Sequence, residues 1–196
     1  MTILHLDSSP RGERSHSRQL TRAFVQELQQ QHPDARVIYR DLGHNPPAHV
    51  NETWIAATYS DPSTHGPDHT AALRESEELI AELVAADLIV VGVPMYNFSI
   101  PSTLKAYIDQ IVRPGRTFTF PDYQGLVTGK KMFLIQARGG GGYNASNNFQ
   151  DPYLKAIFGL IGITDVEVIN DEKTLGDESL LDKSIEQVKE VAHSVS

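Results

Sequence analysis

Short apolar runs alternate along this chain with stretches in which apolar residues recur every three to four positions. Thr2 to Leu6 is the first run and reads as a strand. Leu20, Phe24 and Leu28 follow at i, i+4 and i+8, one face of a helix. Val37-Ile38-Tyr39 reads as a second strand, and Leu73, Ile80, Leu83 and Val84 stripe a helix over roughly residues 68–86. Leu88 to Val93 is apolar almost throughout and β-branched, as a central parallel strand covered on both faces should be. Pro101 suits the first position of the next helix, which carries Leu104, Ile108 and Ile111 on one side. Lys131 to Ala137 is the fourth strand, and Leu154, Ile157, Phe158 and Ile161 follow on a helix. Val166, Val168 and Ile169 belong to a fifth strand, and Leu181, Ile185, Val188 and Ala192 stripe the last helix.

Five strands interleaved with helices predict an α/β fold, a parallel sheet with helices on both faces. The expected strand order is the doubly wound 2-1-3-4-5. Two stretches leave this rhythm: the Pro/Gly/Ser-rich loop Tyr59–Asp68, and Arg113–Gly129, rich in Gly, Pro and aromatics.

Length and composition narrow the class. At 196 residues, with no linker or repeat, the chain is expected to form one domain over 1–196. The net charge of −8 argues against a nucleic-acid partner or an anionic membrane, both of which select basic surfaces. The chain has no cysteine, so disulfides, thiolate catalysis and Cys-ligated metals are excluded. No apolar run approaches about 18 residues, and Met1 leads directly into the first strand without a basic segment. The expectation is a cytoplasmic protein.

In an open α/β sheet, ligands bind beyond the carboxyl ends of the strands, so three loops carry the chemistry. After the first strand comes Asp7-Ser8-Ser9-Pro10-Arg11-Gly12-Glu13-Arg14-Ser15-His16-Ser17-Arg18, rich in hydroxyls and feeding a helix N-terminus. Such an end favours phosphate. The plainer reading is that Ser15 or Ser17 caps the helix, but a cap needs one serine and four are present. No GxxxxGK[ST] motif supports ATP or GTP. After the third strand, Pro94-Met95-Tyr96-Asn97-Phe98-Ser99-Ile100-Pro101 offers an apolar, aromatic shelf for a flat ring, or simply a packed loop. After the fourth, Ala137-Arg138 leads into Gly139 to Gly142, where the backbone can approach a ligand unless the loop is merely flexible. It does not match GxGxxG. Together the three loops describe a site for a phosphorylated planar cofactor, and flavin mononucleotide (FMN) fits best. Elsewhere the signals are weak. Gly66 and Pro67 break the His65/His69 pair, and Glu75, Glu77, Glu78 and Glu82 read as a wet helix face. No GxSxG elbow is present.

Four segments in the expected order, SSPRGERSHS, PMYNFSIPSTLKAYIDQIVRPGRTFTF, GLVTGKK and ARGG, resemble the FMN-dependent NADH-azoreductases, a branch of the flavodoxin-like quinone reductases. The resemblance implies a flavodoxin-like fold and two-electron, ping-pong hydride transfer through bound FMN. The donor is NADH or NADPH, between which the sequence does not choose, and the acceptors are quinones and azo compounds. It implies FMN phosphate and ribityl contacts from Ser9, Ser15, His16 and Ser17. Ring contacts follow from Met95, Tyr96, Asn97 and Phe98, and from Ala137, Arg138, Gly139 and Gly140. The backbone N–H groups of Gly139 and Gly140 suit the charge that develops near flavin N1. Ala137 stands where a hydroxyl residue is more common, and Leu160 where an aromatic is common. The resemblance implies a homodimer with the site between subunits. Phe98 is the expected wall of the substrate slot. Phe118 and Phe120, at strand spacing, are expected on one face and over the neighbouring subunit's flavin. No catalytic acid or base is expected from the protein, because the flavin carries the chemistry. A flavodoxin-type electron carrier is the alternative, and a flavin-free binding module a third reading.

Overall fold

The computed structural model describes residues 1–139, 145–172 and 178–195. Five parallel strands form one sheet in the order β2-β1-β3-β4-β5. They are β1 (Thr2–Asp7), β2 (Arg36–Asp41), β3 (Leu88–Pro94), β4 (Lys131–Arg138) and β5 (Asp165–Glu172). The helices are α1 (His16–Gln31), α2 (Glu52–Tyr59), α3 (Pro67–Ala85), α4 (Ser102–Ile111), α5 (Gln150–Leu160) and α6 (Glu178–His193). Among the described residues, no helix is long and apolar enough to cross a membrane.

The strand pleat sorts the core into two layers. Ile3, Leu88, Val90, Phe133 and Ile135 point to one face, where Leu20, Phe24 and Leu28 of α1 and Val188 and Ala192 of α6 cover them. Phe24 and Phe133 meet there at 4.7 Å between ring centroids. Leu4, Leu6, Ile89, Val91, Met132 and Leu134 point to the other face, under α3, α4 and α5. Covered on both faces, β3 therefore needs apolar residues on both sides of the pleat, which is why Leu88 to Val93 reads as an almost unbroken run. Gly92 is the exception within it. A Cβ there would stand 2.7 Å from Oδ1 of Asp7 and 3.1 Å from Thr21 Cγ2, so α1 and the end of β1 can close on β3 only over a glycine.

Three expectations change. Helix α2 was not foreseen. Asn51 caps it by accepting from the Trp54 N–H at 3.0 Å, and Trp54 packs with Ala57 and Leu73 in a small satellite core. Pro101 caps α4 rather than opening it, because its extended ψ of 145° lies outside the helix. The Tyr59–Asp68 loop is shorter than expected, since α2 runs to Tyr59, α3 starts at Pro67 and a 3-10 turn at Pro62–Thr64 lies between.

Candidate active site

The carboxyl ends of β1, β3 and β4 converge as the doubly wound order requires. Where β1 ends, Ser8 donates from both its backbone N–H and its Oγ to the Gly92 carbonyl, at 3.2 and 2.7 Å. This pins the loop to β3. Ser9 follows, fully buried. The chain passes through the 3-10 turn Gly12–Arg14 to Ser15, which caps α1 by accepting from the Arg18 N–H at 3.5 Å. The capping reading therefore holds for Ser15. It leaves Ser9 and Ser17 unexplained, and both are buried beside it, with Ser17 Oγ 3.1 Å from Ser15 Oγ. The N–H groups of His16 and Ser17, first in α1, have no acceptor within the helix.

Under this loop lies a charged network that sequence reasoning missed. The Arg18 guanidinium, buried at the start of α1, donates from Nε to the Ser9 carbonyl at 2.7 Å. It pairs with Asp41 through both Nη atoms and donates to the Tyr39 hydroxyl at 3.1 Å. Tyr39 in turn donates to Asp7 Oδ2 at 3.0 Å. Burial pushes the Asp41 carboxyl up, but the hydrogen bonds from Arg18 and His44 outweigh it and hold the group down at about 2. Burial, then the charge of Asp7 and the bond to it, pushes the Tyr39 phenol up to about 12. Gly43 lets the β2 end approach. A Cβ there would fall 2.1 Å from the Ser9 carbonyl oxygen. The signal available in the sequence was Arg18 directly after the serine run.

The loop after β3 is a two-residue turn. Tyr96 and Ser99 exchange backbone N–H···O bonds at 3.0 Å each, and Asn97 and Phe98 between them have φ of 50° and 63°. Both central residues are left-handed, the type I′ arrangement that usually takes Asn-Gly. Phe98 occupies the glycine position and stands 44% exposed. At the end of β4, the Ala137 carbonyl accepts from the Met95 N–H at 2.9 Å, which fixes the two loops against each other.

Ser9, Arg11, Ser15, His16, Ser17, Pro94, Met95, Tyr96, Ala137 and Gly139 line one cavity of about 180 Å³. Eight sequence-selected residues thus meet in one place. The others do not. Asn97 lines a neighbouring groove of about 530 Å³ with Tyr96, Ile100, Lys105 and Tyr153. Phe98 projects outward. The Arg138 side chain is turned inward, to Gln136 and to Asp151 at 2.8 Å, so only its backbone is left for a ring contact. Gly140 and the rest of the glycine run through Gly142 lie outside the described residues, as do Tyr143 and Asn144. Leu160 is half-buried at the end of α5.

The expectation that Phe118 and Phe120 share a face is corrected. Residues 113–129 form no strand, and Phe118 sits 7% exposed in the core with Val127 and Ile161, while Phe120 is 66% exposed. After Phe118 the chain turns back on itself, with the Tyr123 N–H donating to the Thr119 carbonyl at 3.0 Å and the Thr119 N–H to the Gln124 carbonyl at 2.7 Å, so Phe120 stands on a turn that Phe118 precedes. His65 and His69 do not share a helix, yet their rings meet edge-on at 5.3 Å. No cluster of three or more metal-binding side chains exists among the described residues.

Residues 1–194 match the family described as having the flavodoxin-like fold. An FMN-dependent NADH:quinone oxidoreductase of Nostoc punctiforme is 55% identical over 177 residues, covering 87% of this chain and 86% of that protein. A second, from Trichormus variabilis, is 50% identical over 202 aligned positions, covering 99% of this chain and 98% of its own length. Among solved structures, an azoreductase of Bacillus anthracis superposes with a TM-score of 0.88 at 26% identity, covering all of both chains.

Proposed function

We propose, for a chain that belongs to the flavodoxin-like family of FMN-dependent NADH:quinone oxidoreductases, that it binds FMN in the serine-lined cavity and reduces quinones and azo compounds with NADH or NADPH. The observation that carries this reading is that two kinds of lining meet in one cavity. The loop after β1 presents buried Ser9, Ser15 and Ser17, with His16, Arg11 and the start of α1. The loops after β3 and β4 present Pro94, Met95, Tyr96, Ala137 and the side-chain-free Gly139.

These residues fit the group. A terminal phosphate against the β1 loop would meet hydroxyl donors and the N–H groups of His16 and Ser17 at the positive end of the helix dipole. A flat ring against the other two loops would meet Met95 and Tyr96 on one and the Ala137–Gly139 backbone on the other. FMN, when bound there, supplies the two-electron transfer between nicotinamide nucleotide and acceptor. The protein binds, orients and shields. Arg18 keeps the Ser9 carbonyl turned into the protein, so the Ser9 loop holds its shape while a phosphate is absent. Phe98, held outward by the left-handed turn, forms one wall of the slot in which donor and acceptor alternate. No side chain is needed as an acid or base. A cytoplasmic setting belongs to the same reading, because nicotinamide nucleotides are its donors.

The working form is a homodimer in this reading. Phe120 packs edge-on against Tyr123 at 5.7 Å, and both stand mostly exposed on the 113–129 segment. Paired exposed aromatics of this kind suit a partner surface, and a second copy of this chain would bring Phe120 to its flavin site. The family's oxidoreductase names leave nothing to favour a one-electron carrier. Heat release of the cofactor from purified protein, followed by mass determination, tests the assignment. FMN at one per chain is expected. FAD, or a colourless protein that stays so after FMN is added, would overturn it.

A further inference from the structure

His16 has a partner that the FMN assignment does not use. Its Nδ1 lies 3.3 Å from Oδ2 of Asp171, at the end of β5 and 155 residues away. Asp171 is only 4% exposed, and its second oxygen accepts from Ser184 Oγ on α6 at 2.6 Å. Ser184, Asp171 and His16 therefore form a chain of contacts from α6 through β5 to the first residue of α1, ending at a ring that lines the serine cavity.

The chemistry of this chain is constrained. An ionised carboxylate only accepts, so Nδ1 of His16 must carry a proton. The other ring nitrogen, Nε2, is on the far edge of the ring from Asp171. If it were bare, its lone pair would face the phosphate oxygens. We infer that Asp171 is a positioning residue for the cofactor phosphate: it holds His16 as an imidazolium, with Nδ1–H on the buried carboxylate and Nε2–H on the phosphate. This inference rests on the FMN reading above. A carboxylate beside a dianionic phosphate is repulsive unless a cation stands between them, and His16 is the group so placed. Around it, Arg11, Glu13 and Arg14 face it from the loop and 3-10 turn, Asp171 from β5, and Asp182 from α6. Arg11 and Arg14 oppose the added charge, as does the N-terminus of α1. The buried Asp171 and the phosphate favour it, and a charge-assisted bond outweighs a neutral one. Binding then takes up a proton from solvent, so FMN affinity falls as pH rises.

The test uses the full chain stripped of flavin and titrated with FMN or riboflavin from pH 7 to pH 9. The phosphate, with a second pKa of about 6, is already about nine-tenths dianionic at pH 7 and more so above it. The wild-type Kd for FMN should rise about tenfold across this range while that for riboflavin stays flat. Asp171→Asn should raise the FMN Kd at pH 7 by about tenfold and flatten its pH dependence, with riboflavin binding kept. His16→Gln, at the partly exposed start of α1, should flatten the profile while leaving the buried Asp171–Ser184 contact in place, and serves if Asp171→Asn does not fold. The ³¹P resonance of bound FMN should move between pH 7 and 9 in wild type and stay still in His16→Gln. Tight FMN binding with a profile as flat as riboflavin's, or unaltered in both variants, overturns the pairing alone. Failure of the wild-type chain to bind FMN overturns the cofactor assignment and the pairing with it.

Discussion

At the scale of single residues, the serines differ in what they do. Ser15 caps α1, so Ser15→Ala should cost about 1 kcal/mol of stability as well as affinity for FMN. Ser17 is not the cap. Its loss should raise the FMN Kd about tenfold, as expected for a hydrogen bond to a charged group worth about 1.5–3 kcal/mol, and leave the melt of the flavin-free protein nearly unchanged. An unchanged FMN Kd in both variants would reduce the loop to a helix cap. Phe98 offers a second contrast. A left-handed non-glycine residue costs of order 1–3 kcal/mol, and such strain collects at functional sites. Phe98→Gly should therefore raise the melting temperature and impair quinone turnover. A variant that is no more stable and fully active would remove Phe98 from the slot.

At the scale of elements, the strands were legible because the pleat and the two helical layers demand apolar residues on both faces. Leu88 to Val93 could be little else. Helix α2 was not legible in the same way. Only Trp54 and Ala57 of its eight residues are buried, so it carries no long apolar stripe, and its one clear sign is the cap Asn51. The site divides likewise. Ser9, Ser15, Ser17, Met95 and Tyr96 announce themselves by type and by their place after a strand. Asp171 does not, because its role comes from a neighbour 155 residues away. Phe118 was misread for a related reason. Alternation implies a shared face only within a strand, and the turn from Thr119 to Tyr123 removes the strand. The two phenylalanines now make opposite predictions. Phe118→Ala should cost about 3–5 kcal/mol, as truncating a buried Phe does. Phe120→Ala should change stability by less than about 0.5 kcal/mol and alter the KM or kcat for quinones, with FMN content intact. Thermal melts beside quinone kinetics decide it; normal kinetics for Phe120→Ala would take that ring out of the active site.

At the scale of the whole molecule, the network beneath the Ser9 loop ties β1, β2 and α1 to the acid limit of the fold. The Asp41 carboxyl is held at about 2 in the folded state against its ordinary 3.8. The unfolded chain therefore takes up the proton first, so this stabilisation is complete above about pH 4 and is lost as pH falls towards about 2. Melting temperature should drop over that window in wild type and drop less in Asp41→Asn, which starts lower at neutral pH. Parallel curves for the two proteins would show that Arg18 and Asp41 do not govern the loop. The account as a whole stands on one cavity holding a flavin that accepts electrons directly from a nicotinamide nucleotide. Anaerobic mixing of the FMN-loaded protein with NADH, followed by a quinone, tests this most directly. The account predicts that the flavin's visible absorbance bleaches on NADH alone and returns when the quinone is added. A flavin that stays yellow until a separate reductase is supplied would contradict it.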